Sequence, residues 1–286
     1  MSVRQAGSSQ REITRDDEWS KICVQVGGII MELNYSDYMK YIDTLLQEET
    51  IRKIVREVNT FGKFTKSDDG GWQPAHYAGY TCITTPLDVE GENKSHRLIY
   101  EVQEKLLKNL TLAKIVPAPA NTLHMTVARL ISGNIFDDNI MNVYEQEFLN
   151  VVGQLLSHIS IDGPLQFEIK GIVVSEHGVI MALVTPVSEE DYLNLQAFRN
   201  EIYNDKVLMN LGVERKRSFK GHITLGYIEE ELTAREKDSL ADLIIDINNE
   251  YFFEPVAYQI IRAEIRRFHN FLRFYREDSW PAYDFA

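Results

Sequence analysis

Residues 121–130 read NTLHMTVARL and residues 221–227 read GHITLGY. Each run sets a histidine two positions before a threonine among apolar neighbours. Side chains alternate between the two faces of a strand, so His124 and Thr126 share one face while Met125 and Val127 take the other. His222 and Thr224 stand in the same relation to Ile223 and Leu225. An imidazole titrates close to neutral pH and can give or take a proton. Two in one cleft divide the labour of phosphodiester hydrolysis: one takes the proton of the attacking water, the other protonates the departing sugar oxygen. Hydroxyls aimed at the non-bridging oxygens stabilise the charge gathering there. His124, His222, Thr126 and Thr224 are therefore the candidate catalytic residues, in a scheme that needs no metal and no other cofactor. Either copy alone would be uninformative, because threonine suits a half-exposed sheet face anyway. With seven histidines, chance gives roughly 0.3 such matches in the whole chain, so two in strand-like settings carry information.

Bulk properties bound what such a site could serve. At 286 residues, 44% hydrophobic and 26% charged, the chain can bury a sizeable core. A formal net charge of -13 opposes a broad surface for long duplex nucleic acid, which is held by many Lys and Arg contacts to phosphate. A small anion in a local basic pocket remains compatible with it. Two cysteines, Cys23 and Cys82, supply neither a disulfide framework nor metal-ligand spacing, which suits a reducing, cytoplasmic setting. No apolar run approaches the length of a membrane span, and the first residues lack a secretory signal's apolar stretch. A monomer not bound to membrane is the expectation.

Stepping outward from the motifs, residues 1–18 read as a polar arm, and 36–59 as a helix with a break near Glu48–Thr50. Together, residues 1–60 form an N-terminal extension. The Gly, Asp and Pro punctuation of FGKFTKSDDGGWQP marks a loop or hairpin. Then come a strand over 76–87, a helix over 95–110 with Ser95 as N-cap, the strand carrying His124, and a helix over 137–159. A hairpin with turn SEHG follows over 165–186, then a helix over 189–208 opened by the capping run SEED, the strand carrying His222, a helix over 233–248, and strands at 256–267 and 270–276.

HMTV and HITL, one in each half of an alternating chain, resemble the paired signatures of the two-histidine (2H) phosphoesterase superfamily, which includes RNA 2',3'-cyclic phosphodiesterases and 2'-5' RNA ligase-like proteins. KFTKSDDGGWQPAHYAGYTCI also resembles the first strand of a bacterial branch of that superfamily. The resemblance spans about residues 60–276. It implies an α+β bilobal fold over 61–286, in which two antiparallel-rich sheets flanked by helices face each other across a central cleft. The lobes would divide roughly at 61–160 and 161–286, with strands free to exchange between them. It further implies proton transfer by His124 and His222 and phosphate contact by Thr126 and Thr224, without saying which histidine is the acid. An arginine often follows the motif in such proteins. HMTVAR supplies Arg129, whereas HITLGY has Tyr227 at that place.

Lys220 shares the face of His222 and adds positive potential, with Arg215, Lys216 and Arg217 just upstream. Tyr80 could stack on a base or serve the core. His76, His96, His158, His177 and His269 lack the threonine partner and read as surface or core residues. The expected activity is hydrolysis of a cyclic phosphate or phosphodiester on a small nucleotide or an oligonucleotide end. Two alternatives stand beside it: a nucleotide-binding module of the same fold without turnover, and a protein-interaction role resting on residues 1–60.

Overall fold

Capping residues and apolar periodicity set the elements that carry the motifs. The computed structural model describes residues 25–26, 29–30, 32–87, 94–110, 114–133, 136 and 138–285. The expected polar arm over 1–18, Cys23 and Asp137 lie outside the described residues. In chain order there are a short strand pair, β1 (Gln25–Val26) and β2 (Ile29–Ile30), helices α1 (Tyr35–Leu45) and α2 (Glu48–Glu57), and a hairpin of β3 (Phe64–Lys66) and β4 (Trp72–Pro74). Then follow β5 (Gly79–Thr84), α3 (Lys94–Asn109), β6 (Ile115–Pro117), β7 (Thr126–Ser132) and α4 (Asp138–Leu156). The remainder is β8 (Leu165–Val174), β9 (Val179–Pro186), α5 (Glu189–Asn204), α6 (Lys206–Asn210), β10 (His222–Ile228), α7 (Ala234–Tyr251), β11 (Val256–Ile260), β12 (Arg262–Asn270), β13 (Arg273–Tyr275) and β14 (Ala282–Asp284).

Most helix starts are those the sequence announces. The Asn34 side chain accepts the Asp37 N–H, and the Ser188 side chain that of Asp191. Thr233 and Glu236 form a reciprocal capping box at α7. Three expectations need correction. Ser95 is not an N-cap: it lies inside α3, 4% exposed. The break between α1 and α2 falls at Leu46 and Gln47, which serve as cap residues on either side. The helix expected over 189–208 ends at Asn204, because extended Asp205 caps α6 by accepting the Leu208 N–H.

Two five-strand antiparallel sheets result. One has the order β11-β8-β9-β10-β6; the other runs β13-β12-β5-β7, with β14 beside β12. The chain trades strands between them, since β6 edges the sheet built mainly from the second half and β12, β13 and β14 complete the sheet of the first. The fold is α+β and bilobal, with helices behind both sheets and a cleft between. Helix α2 packs on α7 and β8, and α1 on α5. Tyr38 of α1 is wholly buried and stacks on Tyr192 at 5.0 Å and on Phe219 at 5.9 Å. These two helices therefore belong to the common hydrophobic core. Among the described residues no helix is long and apolar enough to cross a membrane.

Candidate active site

The two sheets meet where their motif strands begin. Met125 and Ile223 form an isolated antiparallel bridge, and both are 0% exposed. Their neighbours along each strand must face the other way, into the cleft. Antiparallel opposition about this bridge sets His124 across from Thr224 and Thr126 across from His222. The four side chains thus form one quartet with the imidazoles on a diagonal, a relation in which residues stand about 7–8 Å apart and their Cβ atoms somewhat less.

Each motif strand also carries a bulge at the same point. Ile83 pairs Thr126 and Cys82 pairs Ala128, so Val127 is the extra residue; Met181 pairs Thr224 and Ile180 pairs Gly226, so Leu225 is. A bulge resets the alternation, which brings the residue three places after each threonine onto the threonine's face. Arg129 and Tyr227 accordingly hold equivalent places in the two copies. The Tyr227 phenol is hydrogen-bonded with the Thr224 side chain, and the Arg129 charge acts on the His222 ring.

Burial first, and then neighbouring charge, holds both imidazoles below the usual histidine value. His124, 9% exposed, is held down to about 3, chiefly by burial, then by the charges of Arg266 and His222, against a favourable contact from the Thr122 carbonyl. Phe274 lies edge-on to it at 4.7 Å between ring centres. His222 is also pushed down by burial, the Lys220 carbonyl opposing this and the charges of Lys220, Arg129 and Arg217 adding to it. Its Nδ1 lies 2.8 Å from the Lys220 carbonyl oxygen. In the tautomer that donates this bond, Nε2 keeps its lone pair for the cleft. The copies differ here, since the Nδ1 of His124 is buried without a hydrogen-bond partner among the described residues.

The shift of His124 has a consequence for stability. Below the unfolded value of about 6.5 the unfolded chain takes up a proton that the native ring refuses. Stability is then complete above about pH 6.5 and falls as pH drops toward 3, by about 1.4 kcal/mol per unit from this ring, with His222 adding in the same sense. Urea unfolding at pH 6.5 and 5 should show this slope in the wild type and a shallower one in His124→Gln. Equal slopes in the two proteins would contradict it.

A close backbone approach fixes where His222 begins. A Cβ on Gly221 would lie 2.1 Å from the Val184 carbonyl oxygen, which accepts a 3.5 Å hydrogen bond from the Tyr38 hydroxyl. Gly221→Ala is therefore expected to push β10 off β9 and cost about 1–3 kcal/mol. A melting curve superimposable on the wild type would show that the strand yields freely.

The other sequence candidates divide. Lys220 stands beside the site, its Nζ 4.9 Å from the centre of the Tyr41 ring. Tyr80 is not at the cleft: it is 0% exposed on the far face of β5, hydrogen-bonded to Glu145 and packed on Phe148. Arg215 is committed to Glu32 at 2.9 Å, and Lys216 pairs with Glu214 at 3.3 Å. Arg217 is the one of the three whose charge acts on His222.

Sequence reasoning missed three groups. Arg266 faces the cleft in the row Arg266–Thr81–Arg129, and is paired with the buried Glu264 at 3.0 Å. Arg199 of α5, 4% exposed, donates to the carbonyl of the bulged Val127 and to Glu32 at 2.8 Å. Glu32 also accepts the Phe219 N–H, three residues before His222. A threonine two places after a histidine can be read from spacing. An arginine reaching across from another helix to a bulge carbonyl leaves no such trace.

No family model matches this chain, and no curated protein does. Solved structures do match. A conserved protein of unknown function from Agrobacterium tumefaciens superposes with a TM-score of 0.55 at 14% identity, over 75% of this chain and 89% of its own. A Thermus thermophilus protein gives 0.41 at 14% identity over 66% and 87%, and Escherichia coli LigT complexed with 3'-AMP gives 0.39 at 12% over 67% and 88%. The Agrobacterium structure shares the fold, and identity this low speaks to the fold alone.

Proposed function

We propose that this chain, whose two-lobed α+β fold is of the two-histidine phosphoesterase kind, is a metal-independent phosphodiesterase that opens a cyclic phosphate on a small nucleotide or an oligonucleotide end. The observation that carries this reading is the Met125–Ile223 bridge, which turns both His-x-Thr pairs to one face. In the reaction, water attacks phosphorus as one imidazole takes its proton. The bond to one ribose oxygen breaks, that oxygen receives the proton of the other imidazole, and a phosphomonoester leaves. Thr126 and Thr224 donate to the non-bridging oxygens, and Arg129 and Lys220 supply positive potential. The two-fold relation of the frame makes each imidazole the counterpart of the other. Which serves as acid is then set by the sugar oxygen that a substrate presents to each ring. An anion in the quartet would itself favour protonation of one ring, reversing the depression that burial imposes.

The test is a panel of 2',3'- and 3',5'-cyclic nucleotides incubated with excess chelator, products being followed by phosphorus NMR. Ring opening of at least one 2',3'-cyclic phosphate is expected; no turnover across the panel removes the enzyme reading. A second reading is favoured by the enclosure of His124, 9% exposed against Phe274. A module that binds nucleotides without turning them over would show calorimetric binding of 3'-AMP and an inert panel.

A further inference from the structure

We infer that the cleft is polarised, and that its substrate carries a second phosphate lodged beyond His222, with its base lying toward the opposite, aromatic end. This rests on the phosphodiesterase reading above and says more about its substrate: a mononucleotide bearing two phosphates, or the phosphorylated end of an oligonucleotide, rather than a simple cyclic mononucleotide.

The argument begins with the register about the Met125–Ile223 bridge. Along β7, Thr126 and then Arg129 lie on one side of that level, Arg129 reaching the cleft face through the Val127 bulge. Along β10, which runs the opposite way, His222 and Lys220 lie on that same side. Thr224 and, past its own bulge, Tyr227 lie on the other side, with His124. One ladder step is about 3.3 Å, so Arg129 is set about two steps beyond Thr126. That reach suits a phosphate on the far side of a ribose from the scissile one.

The two ends differ in chemistry although the frame is symmetric. At the His222 end the charges that act on the imidazole are Lys220, Arg129 and Arg217, all cationic. Among the described residues the Arg129 guanidinium makes no hydrogen bond or ion pair, while its backbone N–H and carbonyl are both held by the Tyr203 hydroxyl. Its backbone is pinned, and among the described residues its charge is unmatched. The cation acting on His124 is different in kind, because Arg266 is matched by Glu264 through Nε at 3.1 Å and Nη2 at 3.0 Å.

At the opposite end Tyr227 takes the place that Arg129 holds in the first copy. Phe61 lies 4.7 Å from its ring centre, and half-buried Phe271 stacks on Tyr77 at 4.9 Å. Phe274 stands against His124. Tyr227 is itself 6% exposed and packed against Phe61 and Phe64, and Lys63 lies over Tyr77, so the half-buried rings of Phe271 and Phe274 are the ones that offer a nucleobase a surface to stack on.

The experiment compares adenosine 3'-phosphate with adenosine 3',5'-bisphosphate by calorimetry at fixed ionic strength. The bisphosphate should bind at least tenfold more tightly to the wild type. In Arg129→Gln and in Lys220→Gln the ratio of the two affinities should fall toward one, while Lys53→Gln, an exposed charge on α2, should leave the ratio as in the wild type. Melting curves confirm that each variant is folded. Equal binding of the two ligands by the wild type overturns the inference and leaves the phosphodiesterase reading intact, as does a ratio that survives both cleft substitutions or that falls equally in Lys53→Gln. Failure of both ligands to bind sinks the inference together with the reading beneath it.

Discussion

His124→Ala and His222→Ala are each expected to lower kcat on the best cyclic phosphate by about 10²–10⁴-fold, the range that a positioned proton donor or acceptor supplies. Removing both should cost little more than the worse single change, because acid and base act on one transition state and their losses do not add. KM should move far less than kcat, since Thr126, Thr224 and the surrounding cations still meet the anion. The singles need not be equal. His124 is nearly enclosed against Phe274, so its removal also opens space beside the ring, and a melting curve separates that loss from the chemical one. Thr126→Val and Thr224→Val remove one donor each to the transition-state charge and should cost less than either histidine. A single histidine variant retaining a third or more of wild-type kcat would remove that ring from proton transfer. Retention by both would leave the Met125–Ile223 frame as architecture without chemistry.

The quartet itself was legible because strand alternation is strict. With Met125 and Ile223 apolar, His124, Thr126, His222 and Thr224 had to face the other way, and the two motif strands meet at the bridge between those two residues. The face of Tyr80 was not legible. Every residue of β5 is buried, so no contrast between inner and outer positions marks which side meets the cleft. The bulges escaped too, since Val127 and Leu225 are ordinary strand residues and only pairing reveals that each is extra. Without them Arg129 would fall on the face opposite Thr126, and the correspondence of Arg129 with Tyr227 could be seen as a spacing but not as a place. The exchange of β6 and β12–β14 between sheets depends on long-range pairing, which a strand's own composition does not encode. Glu32 was hidden for a related reason: it acts through residues more than 160 positions away.

Arg199→Met is expected to destabilise the protein by about 3–5 kcal/mol, the range for breaking one side of a buried ion pair. The residue is 4% exposed, and its guanidinium lies 5.3 Å from the Phe219 ring centre and donates to the carbonyl of the bulged Val127. Without it Glu32 keeps Arg215 and the Phe219 N–H but sits in a poorly hydrated site with one cation fewer. Glu32→Gln leaves the converse problem, two guanidiniums 2.8 and 2.9 Å from a side chain that no longer carries charge. The double variant should therefore cost less than the sum of the singles, as residues sharing one network do. Urea titration reads this as a lower midpoint with an unchanged slope. The same contacts tie the bulge after Thr126 to the segment leading into His222, so the singles should also disturb the side-chain nitrogen shifts of both histidines. Losses below about 1 kcal/mol would class the cluster with exposed ion pairs, which contribute little, and would leave the meeting of the two motifs to the Met125–Ile223 bridge and the apolar core around it.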